Sequence, residues 1–172
     1  MRIARINAAG VERIPVRFDI QRSNRTGEPM HRYPEMMIAP MRREIADLGA
    51  VELRTPAAVD EFLAVAEGTA LVVVNSVCGC SAGSMRPGLV MALARGARPD
   101  RMATVFAGAD LEATDRAREH FQPHPPSSPC IAVFRDGALA FMLDRGRIQG
   151  RSPEAIADAL AEALASGAPA AG

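Results

Sequence analysis

The chain has 172 residues, 48% of them hydrophobic, which is enough for one core of ordinary size and too few for two independent enzymatic domains. Lysine plus arginine balance aspartate plus glutamate at 20 each, so no global field draws the chain to nucleic acid or an anionic membrane, and neither partner is expected. Apolar stretches such as residues 89–94 and 70–74 fall far short of the roughly 20 residues that span a bilayer.

The basic side is carried entirely by arginine, which reads as genomic compositional bias. The N-terminus lacks the continuous apolar segment and small-residue cleavage site of a secretory signal, so the expected compartment is the reducing cytoplasm. There, closely spaced cysteines are catalytic or metal-binding rather than structural staples. The count of three, with two separated by a single residue, is no disulfide framework.

Residues 1–32 carry seven arginines against three acids, with Gly10, Pro15, Gly27 and Pro29 and no sustained periodicity. They read as an appendage, a partly disordered basic arm in which residues 11–20 alternate loosely enough for an edge strand. Met30 is an alternative start. The domain is expected over residues 33–166, with residues 167–172 a flexible tail of small residues.

Within the domain, Met37, Ile38, Met41, Ile45 and Leu48 have the spacing of an amphipathic helix over residues 35–48, kinked or opened by Pro40 and ended by Gly49. Met36, Met37 and Met41 read as core packing. A short strand is expected at 50–54. Thr55-Pro56 then supplies a cap and first-turn proline for a helix over 56–66, closed by Gly68. Residues 70–75 are expected to form a strand whose apolar run, 70–74, is the pattern of a strand buried on both faces in a central parallel position.

After the cysteine turn, residues 89–94 are helical, and Pro87-Gly88 leaves open whether that helix starts there or earlier with a kink. A strand at 101–107 leads to a helix running to Phe121, capped by Asp110. The connector 123–129 is proline-rich. Residues 131–134, the Asp136-Gly137 turn and residues 139–143 make a hairpin, since Asp-Gly supplies the positive φ values of a tight turn. Ser152-Pro153 with Glu154 opens the last helix, whose apolar face is Ile156, Leu160 and Leu164. Parallel βαβ units feeding a hairpin and a final helix predict an α/β, thioredoxin-like fold: a central mixed sheet flanked by helices, with an extra N-terminal helix.

Cys78-Gly79-Cys80 follows the central strand directly and precedes a helix. Unpaired backbone N–H groups and the positive end of the helix dipole favour a thiolate there, so Cys78 is the expected nucleophile. Cys80 is near enough to attack a mixed disulfide on Cys78, closing a small, readily reduced ring. Gly79 is expected to grant the turn its backbone angles and to leave Cys78 uncovered. The other readings of the pair are two small buried residues, or a metal site completed by Cys130, His120 or His124. The one-residue spacing and lack of a second pair weigh against zinc, and no metal or bound cofactor is expected.

Ser128-Pro129 stands where the fold holds a cis-proline facing the cysteines, with backbone groups of the preceding residue offered to an extended substrate; the bond is expected to be cis. Cys130 is expected near the cysteine turn, as a small apolar plug or an auxiliary resolving thiol. Arg86 is expected either to stabilise a thiolate or grip a carboxylate-bearing thiol, or to be a solvated helix-end arginine. The three histidines show no triad logic and read as satisfied surface groups.

The stretch Val72-Val73-Val74-Asn75-Ser76-Val77-Cys78-Gly79-Cys80-Ser81-Ala82-Gly83, followed by Arg86-Pro87-Gly88, resembles the bacilliredoxin family of bacteria. Tyr33-Pro34-Glu35-Met36-Met37, Val105-Phe106-Ala107-Gly108 with Asp110, Pro125-Pro126-Ser127-Ser128-Pro129 and Ile148-Gln149-Gly150-Arg151-Ser152 agree. The resemblance covers most of residues 33–166, leaves 1–32 without a counterpart, and finds Cys130 where a small non-thiol residue is expected. It implies removal of the low-molecular-weight thiol bacillithiol, as co-substrate, from S-bacillithiolated client proteins. In that scheme Cys78 attacks the mixed disulfide and receives bacillithiol, and Cys80 or a second small thiol resolves it. A general protein disulfide reductase or isomerase is the nearest rival, and a non-enzymatic metal-binding module the rival from another class.

Overall fold

In the computed structural model, which describes residues 33–165, the apolar run becomes β2 (Thr69–Asn75), buried along six of its seven positions. Its alternation explains the lack of a polar face. Leu71 and Val73 point into one core layer with Leu89, Ile131, Ile156 and Leu160, while Val72 and Val74 point into the opposite layer with Val59, Ala113, Ala117 and Phe121. A strand covered on both sides has no solvated position to mark with a charge.

The five-stranded sheet has the order β1-β3-β2-β4-β5. β1 (Val51–Glu52), β3 (Arg101–Phe106) and β2 run parallel; β4 (Cys130–Arg135) and β5 (Ala138–Leu143) are antiparallel, with Val74 opposite Cys130. α3 (Arg86–Ala94) and α6 (Pro153–Ala165) pack together on one face; α2 (Pro56–Ala64) and α4 (Leu111–Glu119) pack together on the other. This is the thioredoxin-like arrangement, with α1 (Glu35–Ala46) as the extra N-terminal helix.

Several local expectations are met. The Thr55 hydroxyl accepts the Ala58 N–H at 3.2 Å to cap α2 behind Pro56, and the hairpin turn has positive φ at both Asp136 (48°) and Gly137 (80°). Others differ. α1 buries Ile38, Arg42 and Ile45, leaving Met36 90% and Met37 45% exposed; only Met41 packs inward of the three methionines. The buried stripe passes through a charged residue because Arg42 pairs bidentately with buried Asp110, at 2.7 Å to each oxygen, and its guanidinium lies over the Phe106 ring. For the same reason Asp110 does not cap α4: its carboxylate takes Arg42 and the Phe106 N–H instead.

The helix after the cysteines begins early. Gly79 and Cys80 are already helical, and residues Ser81–Met85 form a π-helical turn that runs into α3. Pro87 lacks an N–H for the carbonyl four residues back, and its ring would press on that carbonyl, so a widened turn precedes it. Gly88 is required by packing: a Cβ there would stand 2.5 Å from Ile156 Cβ and 2.9 Å from the Pro153 carbonyl, where α3 crosses α6. One short helix, α5 (Arg145–Ile148), has no counterpart in the sequence reading; four residues are too few for a periodic signal, and it rests on an Asp144 cap to the Arg147 N–H at 2.9 Å. The basic arm, its edge-strand alternative, the Met30 start and the expected tail lie outside the described residues.

Candidate active site

Cys78 stands where β2 hands over to the helix, at the carboxyl end of the parallel strands. Its carbonyl accepts the N–H groups of Ser81 (3.1 Å) and Ala82 (3.2 Å), so it opens the helix, and the same Ser81 N–H lies 3.4 Å from its sulfur. The Ser76 hydroxyl donates to that sulfur at 3.2 Å, and Cys80 Sγ is 2.7 Å away; all three cysteines are free. Partial burial pushes the Cys78 thiol up, but the hydrogen bonds from Cys80, from the Ser76 hydroxyl and from the Ser81 and Cys80 N–H groups outweigh it, leaving the pKa below its ordinary value. Cys80 moves the opposite way, raised by burial, by its hydrogen bond to Cys78 and by the Cys78 charge, with Arg145 partly opposing. The arrangement favours the thiolate at Cys78 over that at Cys80.

The turn is anchored from below by Asn75, which is fully buried. Its side-chain oxygen accepts the Ser76 N–H (2.9 Å), the Ser81 hydroxyl (3.0 Å) and Arg86 Nη1 (3.2 Å), while its amide donates to the Met41 carbonyl at 2.9 Å. Arg86 is 5% exposed, so it is not the solvated helix-end residue of the alternative reading. Its Nη1 is also 3.2 Å from the Ser76 carbonyl and the Ser81 hydroxyl, and its Nε binds Glu44 at 2.6 Å. Arg86 thus acts through the residues that flank Cys78, holding strand end, turn and α1 together.

Gly79 has an exposed position and no positive φ, and a Cβ there would meet nothing within 4 Å. The expectation that the turn needs its special backbone angles is therefore corrected: helical geometry at that position suits any residue, and what the glycine contributes is bareness beside the thiols. Ser128-Pro129 is cis, as expected, and Ser128 lines the groove that Cys78 opens into. Cys130, however, is fully buried in the α2/α4 core layer. Burial, with Asp144 adding and Arg118 opposing, pushes its thiol up to about 12, and its sulfur lies 3.4 Å from the Ser127 carbonyl. The reading as an auxiliary resolving thiol gives way to the apolar plug, because a sealed, protonated sulfur cannot exchange.

The groove beside Cys78 has a volume of about 400 Å³ and runs between the ends of β2 and β3 and the first turns of α4. Gly108 (φ 90°) forms part of its wall, and a Cβ there would come within 2.7 Å of the Tyr33 ring. Arg145 reaches the groove from α5; its backbone N–H donates to the Ser127 hydroxyl at 2.8 Å and its Nη1 is 3.4 Å from the Ser128 carbonyl. Among the described residues no cluster of His, Cys, Asp and Glu could hold a metal ion, and His120 sits on the surface 3.1 Å from Asp60.

Asn75 and Arg145 were missed by the sequence reading. Asn75 had a signal: a polar residue closing a doubly buried strand must find partners, and a hub is the natural outcome. Arg145 had none, being one arginine among many on a helix the sequence does not announce.

A family description, disulphide isomerase, matches residues 33–167. Relatives named bacilliredoxin are 50% identical over 73% of this chain and 92% of theirs in Cytophaga hutchinsonii, and 50% over 77% and 91% in Koribacter versatilis. The chain belongs to the bacilliredoxin family. A third bacilliredoxin, from Halalkalibacterium halodurans, is 47% identical over 76% of this chain and 91% of its own. Among solved structures, Trxlp from Edwardsiella tarda aligns at 21% identity and a TM-score of 0.45, covering 64% of this chain and 98% of that one. Bacilliredoxin membership and the paired thiols make this chain a thiol–disulfide oxidoreductase. No helix among its described residues is long and apolar enough to cross a membrane.

Proposed function

We propose that this bacilliredoxin removes bacillithiol from mixed disulfides on client protein cysteines in the cytoplasm. The observation that carries the reading is the pairing of Cys78, open to a groove and with its pKa lowered, with Cys80 at 2.7 Å, whose pKa is raised. The Cys78 thiolate attacks the bacillithiol sulfur, the S–S bond to the client breaks, and the client thiolate leaves and takes a proton from water. Cys80, losing its proton, then attacks Cys78 Sγ, releasing bacillithiol and closing the Cys78–Cys80 disulfide; attack by a second bacillithiol instead regenerates the free pair and releases a symmetrical disulfide. Electrons lost by the cysteines are those gained by client and bacillithiol.

In this reading Gly79 leaves room for the client to approach, and the backbone of Ser128, at the groove, receives its extended segment. Incubating reduced protein with the same client carrying either bacillithiol or glutathione tests the assignment: faster release from the bacillithiolated form is expected, and equal rates would defeat it. Equal rates would favour a general protein disulfide reductase or isomerase, the reading that the disulphide isomerase description of the family supports.

A further inference from the structure

Two polar atoms on α4 are buried without a protein partner: the Thr114 hydroxyl oxygen and Arg118 Nε. Among the described residues neither has a hydrogen bond, although an unpaired buried donor is costly to keep. They stand four residues apart, on one face of the helix, and both residues line the groove that Cys78 opens into. Thr114 is only 2% exposed, so its hydroxyl has no recourse to bulk water. Asp115 holds Arg118 Nη1 at 3.1 Å, while Nε, on the side-on edge of that guanidinium, has no partner. Arg145 adds a second positive charge at the groove, so two guanidiniums face the single carboxylate of Asp115.

We propose that Thr114 and Arg118 form a carboxylate subsite that selects the small thiol transferred to Cys78. The reading rests on thiol exchange at Cys78 and adds what the groove recognises. A planar carboxylate matches the side-on fork of a guanidinium and can also accept from the Thr114 hydroxyl, satisfying both orphaned groups at once. A dianionic phosphate fits less well, because Asp115 stands within the same groove and repels the second charge.

The test uses a reporter peptide with one cysteine, carried as a mixed disulfide with 3-mercaptopropionate or with neutral 2-mercaptoethanol, two thiols of similar size. Each rate of peptide release by the reduced full chain is divided by that of free cysteine, removing intrinsic reactivity. The wild type is expected to prefer the carboxylate adduct by roughly tenfold, the scale of one charge-assisted hydrogen bond, and Arg118→Gln to remove most of that preference. Arg118→Lys, which keeps the charge and loses the fork, is expected to recover part. Thr114→Val is expected to lower the preference by roughly threefold without lowering the melting temperature, since the hydroxyl it deletes has no partner in the free protein. A wild-type preference near one, or a preference that Arg118→Gln and Thr114→Val both leave in place, overturns the subsite while exchange at Cys78 stands. Failure of the wild type to take either adduct overturns both.

Discussion

The Ser76 hydroxyl points at Cys78 Sγ across 3.2 Å, and its own backbone N–H is held by the buried Asn75 side chain at 2.9 Å. A donor fixed in this way stabilises the thiolate more than the thiol, and so contributes to the lowered Cys78 pKa. Reactivity of Cys78 therefore rises with pH through a midpoint below that of an ordinary thiol and is flat above it. Ser76→Ala is expected to move that midpoint upward and to slow alkylation at neutral pH by roughly 2- to 10-fold, read from iodoacetamide rates across pH.

Cys80 is raised while Cys78 is lowered, which favours Cys78 for the first attack of the proposed exchange. Cys80→Ser is expected to accumulate Cys78 carrying the small thiol, visible as one stable adduct by intact mass spectrometry. Cys78→Ser is expected to form no such adduct. Accumulation on Cys80 in the Cys78→Ser protein would reverse the assignment.

Burial pushes the Cys130 thiol up to about 12 from an ordinary 9.0. Its folded pKa is raised above the unfolded value, so the neutral thiol favours folding below pH about 9, and the contribution is lost as pH climbs from 9 toward 12. Melting temperatures measured across that window should fall less steeply for Cys130→Ala than for the wild type. The same variant is expected to keep its disulfide-exchange turnover, because the sulfur is sealed in the core.

Arg86 donates to Asn75, Ser76 and Ser81 around the thiol turn without touching either sulfur. Replacing it with glutamine leaves buried acceptors unpaired, with an expected loss of about 2–4 kcal/mol in stability. At this chain length that is roughly 2–4 °C of melting temperature per kcal/mol. The variant is also expected to shift the Cys78 alkylation profile to higher pH, while the KM for the thiol adduct stays near the wild-type value. A raised KM with an unchanged profile would instead make Arg86 a substrate ligand.

The contrast between Arg86 and Cys78 explains how much was legible beforehand. Cys78 could be assigned from order along the chain, because a cysteine between a buried strand and a helix meets backbone N–H groups that local geometry alone supplies. Arg86 could not, because its role depends on Asn75, Ser81 and Glu44 being brought round it by folding. Asp110 teaches the same lesson: a good helix cap by its neighbours in sequence, it is claimed by Arg42 from 68 residues away.

What the amino-acid sequence determined by itself was the order of the strands and longer helices, the doubly buried central strand, the tight Asp136-Gly137 turn and the place of the paired cysteines. All of these follow from side-chain period and local backbone preference. Tertiary structure alone decided that Met36 faces outward, that Cys130 is sealed, that Arg86 braces the turn and that Thr114 and Arg118 share a groove with Cys78. Each of those depends on which distant surfaces meet, and burial and partner charge exist only once the sheet and its helices have packed.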